Sequence, residues 1–309
     1  MFELLILIAG CLLLLQAGGT LVSACIHLAQ RLHIAPGVAS ATFVAIGTSL
    51  PEISVSLLAP ADAIDVAVGN IIGSNIQNIA VVLGITLLLH PMRIDGASAR
   101  RQWAFALGAC LYAYGILQWP VTQPNSAGLL LTGFVFVLYH TLRIAKRQGK
   151  AQPPPDATLW SWGKCFFQLG LGLAGLVLGS EAVLHGAVHI ATELRMPQHL
   201  VGFTLVALGT SLPELAFSLA ALRHGHHAVA LGNILGSNVY NVLLGLGIAL
   251  WHTPAMHVPR IDTSEWVLLL GYSLLLLPAM RVSRPVPRWF GLLLVLPYAG
   301  YSGYLLWHH

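Results

Sequence analysis

Two glutamates in near-identical surroundings are the residues of this sequence best suited to do chemistry. VAIGTSLPEISVSLLA at 44–59 and VALGTSLPELAFSLAA at 206–221 each set one acid, Glu52 or Glu214, inside a long apolar run. A charged side chain at the centre of a bilayer costs about 2.5–3.5 kcal/mol even on a lenient insertion scale, so such an acid faces a polar interior. Thr48, Ser49, Thr210 and Ser211 add hydroxyls within one turn of the acids. Pro51 and Pro213 lack the amide that would bond the carbonyls of Gly47 and Gly209, and a broken helix exposes carbonyls where it lines a protein cavity. The second pair of matching segments, GNIIGSNIQNI (69–79) and GNILGSNVYNV (232–242), adds Ser74 with Asn78 and Ser237 with Asn241. Each of these pairs is spaced i, i+4 on one helix face. Carboxylate, hydroxyl, amide and carbonyl oxygens are hard ligands that suit Ca²⁺, and they suit Na⁺ equally. No Lys or Arg lies at comparable depth, so cations are the natural partners. Two glutamates balance one Ca²⁺, two Na⁺ or two protons, and one cage could exchange these species.

Other polar residues have plainer readings. Gly47, Gly69, Gly73, Gly209, Gly232 and Gly236 read mainly as close-packing positions. Asn70, Asn75, Asn233 and Asn238 read as hydrogen-bonding links between helices. Glu181 stands in a span without a proline or a repeat counterpart and reads as a packed or protonated acid. His224, His226 and His227 fall in a short loop where solvated imidazole is the default over a zinc site. Cys11, Cys25, Cys110 and Cys165 lie far apart in apolar runs and read as buried structural thiols.

The elements that must position these residues are membrane spans. Of 309 residues, 56% are hydrophobic and only 8% charged, against about 25% charged in soluble domains. With roughly 20 apolar residues needed per span, the sequence divides into about ten: 3–29, 36–59, 66–90, 102–120, 126–142, 165–192, 198–222, 228–251, 265–280 and 289–307. The opening MFELLILIAG has an acid and no basic region, so its first run is expected to remain as a span rather than be cleaved. Residues 143–164 carry basic residues and a triple proline and read as a cytoplasmic linker between 1–142 and 165–309.

Ten spans sort the 15 basic residues sharply, because only Arg195 and Arg260 fall on one side. The positive-inside rule makes the richer side cytoplasmic and puts both termini outside. The paired segments recur at offsets of 162 and 163 residues, a duplication signal that coincidence of apolar helices does not produce at Gly, Pro, Glu and Asn. Five spans per copy force the second copy into the membrane upside down. The expected fold is an all-α polytopic membrane protein built as two inverted five-helix repeats.

GTSLPE with GNIIGSNIQN, and again GTSLPE with GNILGSNVYN, resemble the paired alpha-repeats of the sodium/calcium exchanger family within the cation/calcium antiporter superfamily. The resemblance implies alternating access, with Na⁺ influx driving Ca²⁺ export through a prokaryotic inner membrane by a monomer. It implies Glu52 and Glu214 as ligands of Ca²⁺ and of the shared Na⁺ positions. The oxygens of Thr48, Ser49, Thr210, Ser211, Ser74 and Ser237, with the carbonyls of Ala45 and Ala207, would complete the coordination. Potassium-dependent relatives carry Asp where this chain has Asn241, matching Asn78, which argues against potassium dependence. The resemblance also implies that spans one and six slide against the other eight on faces that include Gly18, Gly19, Gly170, Gly172 and Gly175.

Ca²⁺/H⁺ exchange through the same glutamates stays open beside Na⁺/Ca²⁺ exchange. A cation channel is disfavoured because no filter-like loop is visible. An enzyme is not expected, since no nucleophile–base set or HExxH motif appears, and neither a cofactor nor a nucleic-acid partner is called for. The expected partners are the lipid bilayer and the transported ions.

Overall fold

The apolar runs fold into helices in the computed structural model, which describes residues 2–58, 64–94, 96–118, 123–148, 159–194, 207–251, 263–281 and 285–308. Residues 149–158 of the linker, residues 198–206 of the seventh run, and Lys150, Arg195, Arg260 and Arg284 lie outside these. Among the described residues, six helices are long and apolar enough to cross a membrane, and the one β contact is a bridge between Met92 and Val286.

Helix α1 (Phe2–Leu32) is followed by α2 (Pro36–Ala39), a π turn over Ser40–Val44, α3 (Ala45–Thr48) and α4 (Leu50–Leu58). Next come α5 (Ile64–Gln77), a π turn over Asn78–Leu83, α6 (Gly84–Leu89), α7 (Ala97–Gln118) and α8 (Gln123–Gln148). The later part contains α9 (Trp162–Glu193), α10 (Ala207–Thr210), α11 (Leu212–Arg223) and α12 (His227–Tyr240). A π turn over Asn241–Gly245 then leads to α13 (Leu246–Trp251), α14 (Thr263–Leu275) and α15 (Arg288–His308).

Both GTSLPE segments are interrupted at their serine, not at their proline. Ser49 and Ser211 leave the helical region with ψ of 5° and 2°, and a new helix starts at the next residue. Pro51 and Pro213 thus sit in a first turn, where no amide is required. The expectation that proline frees the Gly47 and Gly209 carbonyls misplaces the break by this much. Ala45 instead has its carbonyl engaged by the Ser49 amide at 3.1 Å.

The helices carrying the second pair of segments form the centre. Ile71, Ile72, Ile79 and Leu83 are fully buried, as are Ile234, Val242 and Leu246. On the outside, Leu4, Ile8 and Leu12 of α1, Phe136 of α8, and Phe166, Phe167, Leu171 and Leu178 of α9 stand exposed. Large apolar side chains facing outward around a polar centre are what a lipid environment requires.

Helices α1 and α9 pack antiparallel along their length, through small residues. A Cβ on Gly175 would come 2.7 Å from that of Ala17, and one on Gly172 would come 2.8 Å from that of Leu21. Gly179 faces Leu14, and Gly186 meets the backbone of Glu3. Gly18 packs instead on Ala216 of α11, and Gly170 has no neighbour within 4 Å among the described residues. At the far end Trp160 joins the pair. Its ring stacks on His27 at 4.2 Å and under Lys164 at 4.5 Å, while its carbonyl accepts from Arg31 Nε at 2.6 Å. Ser161 then caps α9, accepting the Lys164 amide at 3.2 Å.

Candidate cation site

The two interrupted helices meet the two central ones where the acids lie. Glu52 and Glu214 are each at most 1% exposed. Around Glu214 the hydroxyls are interlocked. Ser49 donates to Glu214 Oε1 at 3.3 Å and Ser237 donates to the same oxygen at 3.4 Å. Thr48 donates to Asn233 Oδ1 at 3.1 Å, with its Oγ1 3.5 Å from that of Ser237. The other carboxylate oxygen, Oε2, has no hydrogen-bond donor.

The corresponding residues around Glu52 are arranged differently. Ser74, Thr210 and Asn70 line a cavity of about 180 Å³ with Gly69, Gly73, Gln77, Glu265, Tyr298 and Tyr301. Asn70 Nδ2 lies 3.5 Å from the Glu52 carbonyl. Ser211 donates to Gln77 Oε1 at 3.1 Å, and Gln77 Nε2 donates to the Tyr298 hydroxyl at 3.0 Å.

Close-packing glycines divide the same way. A Cβ on Gly236 would come 2.6 Å from the Ala41 carbonyl and 2.8 Å from the Ala45 Cβ, and Gly232 faces the backbone of Gly37. Gly47 and Gly209 meet Leu173 and Leu184. Among the described residues neither Gly69 nor Gly73 has a neighbour within 4 Å, and both border the cavity.

The asparagines split into two roles. Asn75 Nδ2 donates to the Asn238 carbonyl at 3.0 Å and Asn238 Nδ2 donates to the Asn75 carbonyl at 3.2 Å, a reciprocal link between α5 and α12. Asn78 Nδ2 donates to Asn238 Oδ1 at 3.0 Å, leaving its own Oδ1 without a donor. Asn241 is fully buried and neither atom of its amide has a partner. A π turn begins at each of these two residues, a widening of the helix that is frequent at functional sites.

Of the residues singled out from sequence, Thr48, Ser49, Glu214 and Ser237 come together directly, and Ser74 with Thr210 share the cavity wall. Ala207 opens α10. Gln77, Glu265 and Tyr298 belong to the same region and were not singled out, whereas Asn233, read as a link between helices, accepts from Thr48 Oγ1. Gln77 alone had a readable signal, as the polar residue standing where the second repeat has Tyr240. Glu181 stands exposed on α9 and so is not a packed acid. Cys11 likewise is exposed on α1, unlike the other three cysteines. His224 is exposed, and burial followed by the charges of His224 and His227 holds His226 below the usual imidazole range. Among the described residues, no three His, Cys, Asp or Glu side chains gather as a metal cluster.

A buried cage of oxygens between duplicated helices, in a molecule with an apolar exterior, is the arrangement of an ion carrier. The family model described as sodium/calcium exchanger protein matches residues 2–144 and 164–307. The chain belongs to the sodium/calcium exchanger family. Its function is cation/calcium antiport, and the family is one of transporters, not enzymes. The chain is 31% identical to the inner membrane protein YrbG of Escherichia coli, covering 98% of this chain and 94% of that one. It is 27% identical to the sodium/calcium exchanger MaX1 of Methanosarcina acetivorans, covering 96% of both. Among solved structures, that of the sodium-calcium exchanger NCX_Mj soaked without Na⁺ and Ca²⁺ matches with a TM-score of 0.82 at 31% identity, over 96% of both chains.

Proposed function

We propose that the chain exchanges Na⁺ for Ca²⁺ by alternating access, as a monomer in the inner membrane, with Na⁺ influx driving Ca²⁺ export. Ten spans form two inverted five-helix repeats, 1–142 and 165–309, joined by the cytoplasmic linker 143–164, with both termini outside. The reciprocal Asn75–Asn238 bonds support a two-fold relation between the repeats. So do Gly84, which packs on α15, and its counterpart Gly247, which packs on α8.

Glu52 and Glu214 bind the ions with the hydroxyls of Thr48, Ser49, Ser74, Thr210, Ser211 and Ser237, the amides of Asn78 and Asn241, and the carbonyls of Ala45 and Ala207. One observation carries this reading: among the described residues, the two repeat-related halves of the cage are packed differently. In the Glu214 half, Gly232 and Gly236 pack against the chain from Gly37 to Ala45. In the Glu52 half, Gly69, Asn70, Gly73, Ser74 and Thr210 line the cavity between α5 and α10. In the proposed topology that cavity faces outside. Exchanging the two arrangements would close the outer side and open the inner one.

Purified protein in proteoliposomes provides the test. An outward Na⁺ gradient is expected to drive Ca²⁺ uptake, and the pair Glu52→Gln and Glu214→Gln to abolish it. Uptake driven by a pH gradient alone would favour proton exchange, and transport surviving both substitutions would overturn the site.

A further inference from the structure

Hydroxyls that give their lone pairs to a cation must place their proton on some other acceptor. Around Glu214 that acceptor is the carboxylate itself, which takes the Ser49 and Ser237 protons on one oxygen. Ser211 is the repeat counterpart of Ser49, and its proton goes elsewhere. It is held by Gln77 Oε1 at 3.1 Å, and Gln77 is fixed in turn by its bond to Tyr298. Gln77 and Ser211 are 4% and 3% exposed, so water does not readily replace this contact. Two helices, α5 and α15, and the break before α11 supply the relay, and Gln77 and Tyr298 stand in the wall of the cavity. The second repeat has no equivalent, because the position matching Gln77 is Tyr240, which packs edge-on against Phe134 at 5.5 Å.

We infer that Gln77, steadied by Tyr298, is a positioning residue that draws the Ser211 proton away from Glu52 and turns the Ser211 lone pairs toward the ion. This deepens the proposed function and rests on its assignment of Ser211 as a ligand. The relay also makes the two halves of the cage chemically unequal. Glu214 shares one oxygen with two hydroxyl donors, whereas the Ser211 hydroxyl makes no such demand on Glu52.

Gln77→Met keeps the length of the side chain and removes its acceptor, while Gln77→Glu keeps an acceptor oxygen. Gln77→Met is expected to raise the K0.5 for Ca²⁺ in Na⁺-driven flux about tenfold, the scale of one lost buried hydrogen bond, with maximal rate retained. Gln77→Glu is expected to stay within about twofold of wild type on the same scale. Ser211→Ala combined with Gln77→Met is expected to be no worse than Ser211→Ala alone, since the effect passes through one hydroxyl. A wild-type K0.5 in Gln77→Met, or full additivity in the double variant, overturns the inference. If Gln77→Met is not monodisperse in detergent, Tyr298→Phe decides: a raised K0.5 with retained rate supports the relay, and an unchanged one overturns it. Loss of transport in Glu214→Gln tests the site separately, so a failure of the relay and a failure of the site are distinguishable.

Discussion

Ser49 and Ser237 direct their hydroxyls at the same oxygen of Glu214 from two different helices. Removing either leaves a buried carboxylate short of one donor, at about 1–1.5 kcal/mol. Ser49→Ala and Ser237→Ala are therefore each expected to raise the K0.5 for Ca²⁺ about five- to tenfold, measured as flux against external Ca²⁺. Because they share an acceptor, their effects are expected to be non-additive. The acids and most of the hydroxyls were legible in the sequence, because an acid amid apolar residues needs a polar surrounding and the matching segments supply it. Gln77 and Tyr298 were not legible in the same way. Their roles depend on contacts across 134 and 221 residues of sequence, and neither pattern nor spacing encodes such contacts.

At the scale of elements, the glycines of the second matching segments make a sharp comparison. A methyl group on Gly236 would come 2.6 Å from the Ala41 carbonyl, a backbone atom with no freedom to swing aside. Overpacking of this kind costs about 1–3 kcal/mol. Gly236→Ala is expected to lower the Tm of the purified protein by thermal-shift assay. A methyl group on its counterpart Gly73 meets none of the described residues within 4 Å, and Gly73→Ala is expected to lower the Tm less than Gly236→Ala. Sequence made these glycines look equivalent, since each repeat carries GNI-x-GSN. Among the described residues the difference lies in the neighbours, since Gly236 faces the chain at Ala41 and Ala45 and Gly73 borders the cavity. The helix breaks show a related limit. Proline announced an interruption, but its tolerance for a first turn moved the break to the preceding serine in both segments.

At the scale of the whole molecule, closure of the outer side would narrow the cavity that α5 lines with α10, as α12 now lies against α2 and α3. A methyl group at position 73 would then obstruct it. Gly73→Ala is expected to bind Ca²⁺ with near wild-type Kd by calorimetry, yet exchange it at least about tenfold more slowly, the mark of a substitution felt in only one of two states. Equal losses of binding and exchange would count against this account of closure. The distribution of Lys and Arg carries the proposed orientation. A cysteine placed at either terminus is expected to be labelled by an impermeant maleimide in intact cells, and labelling only after permeabilisation would reverse the orientation.

The contacts of Trp160 bear on how firmly the chain must be continuous. This residue lies at the end of the linker, yet Arg31 and His27 from the first half hold it as firmly as Lys164 from the second. Together with the long seam between α1 and α9, the grip makes the peptide connection redundant once the halves have met. Fragments 1–148 and 159–309, expressed as separate polypeptides, are expected to recognise each other and co-purify as a working exchanger. Trp160→Ala would weaken that reunion far more than it disturbs the uncut protein.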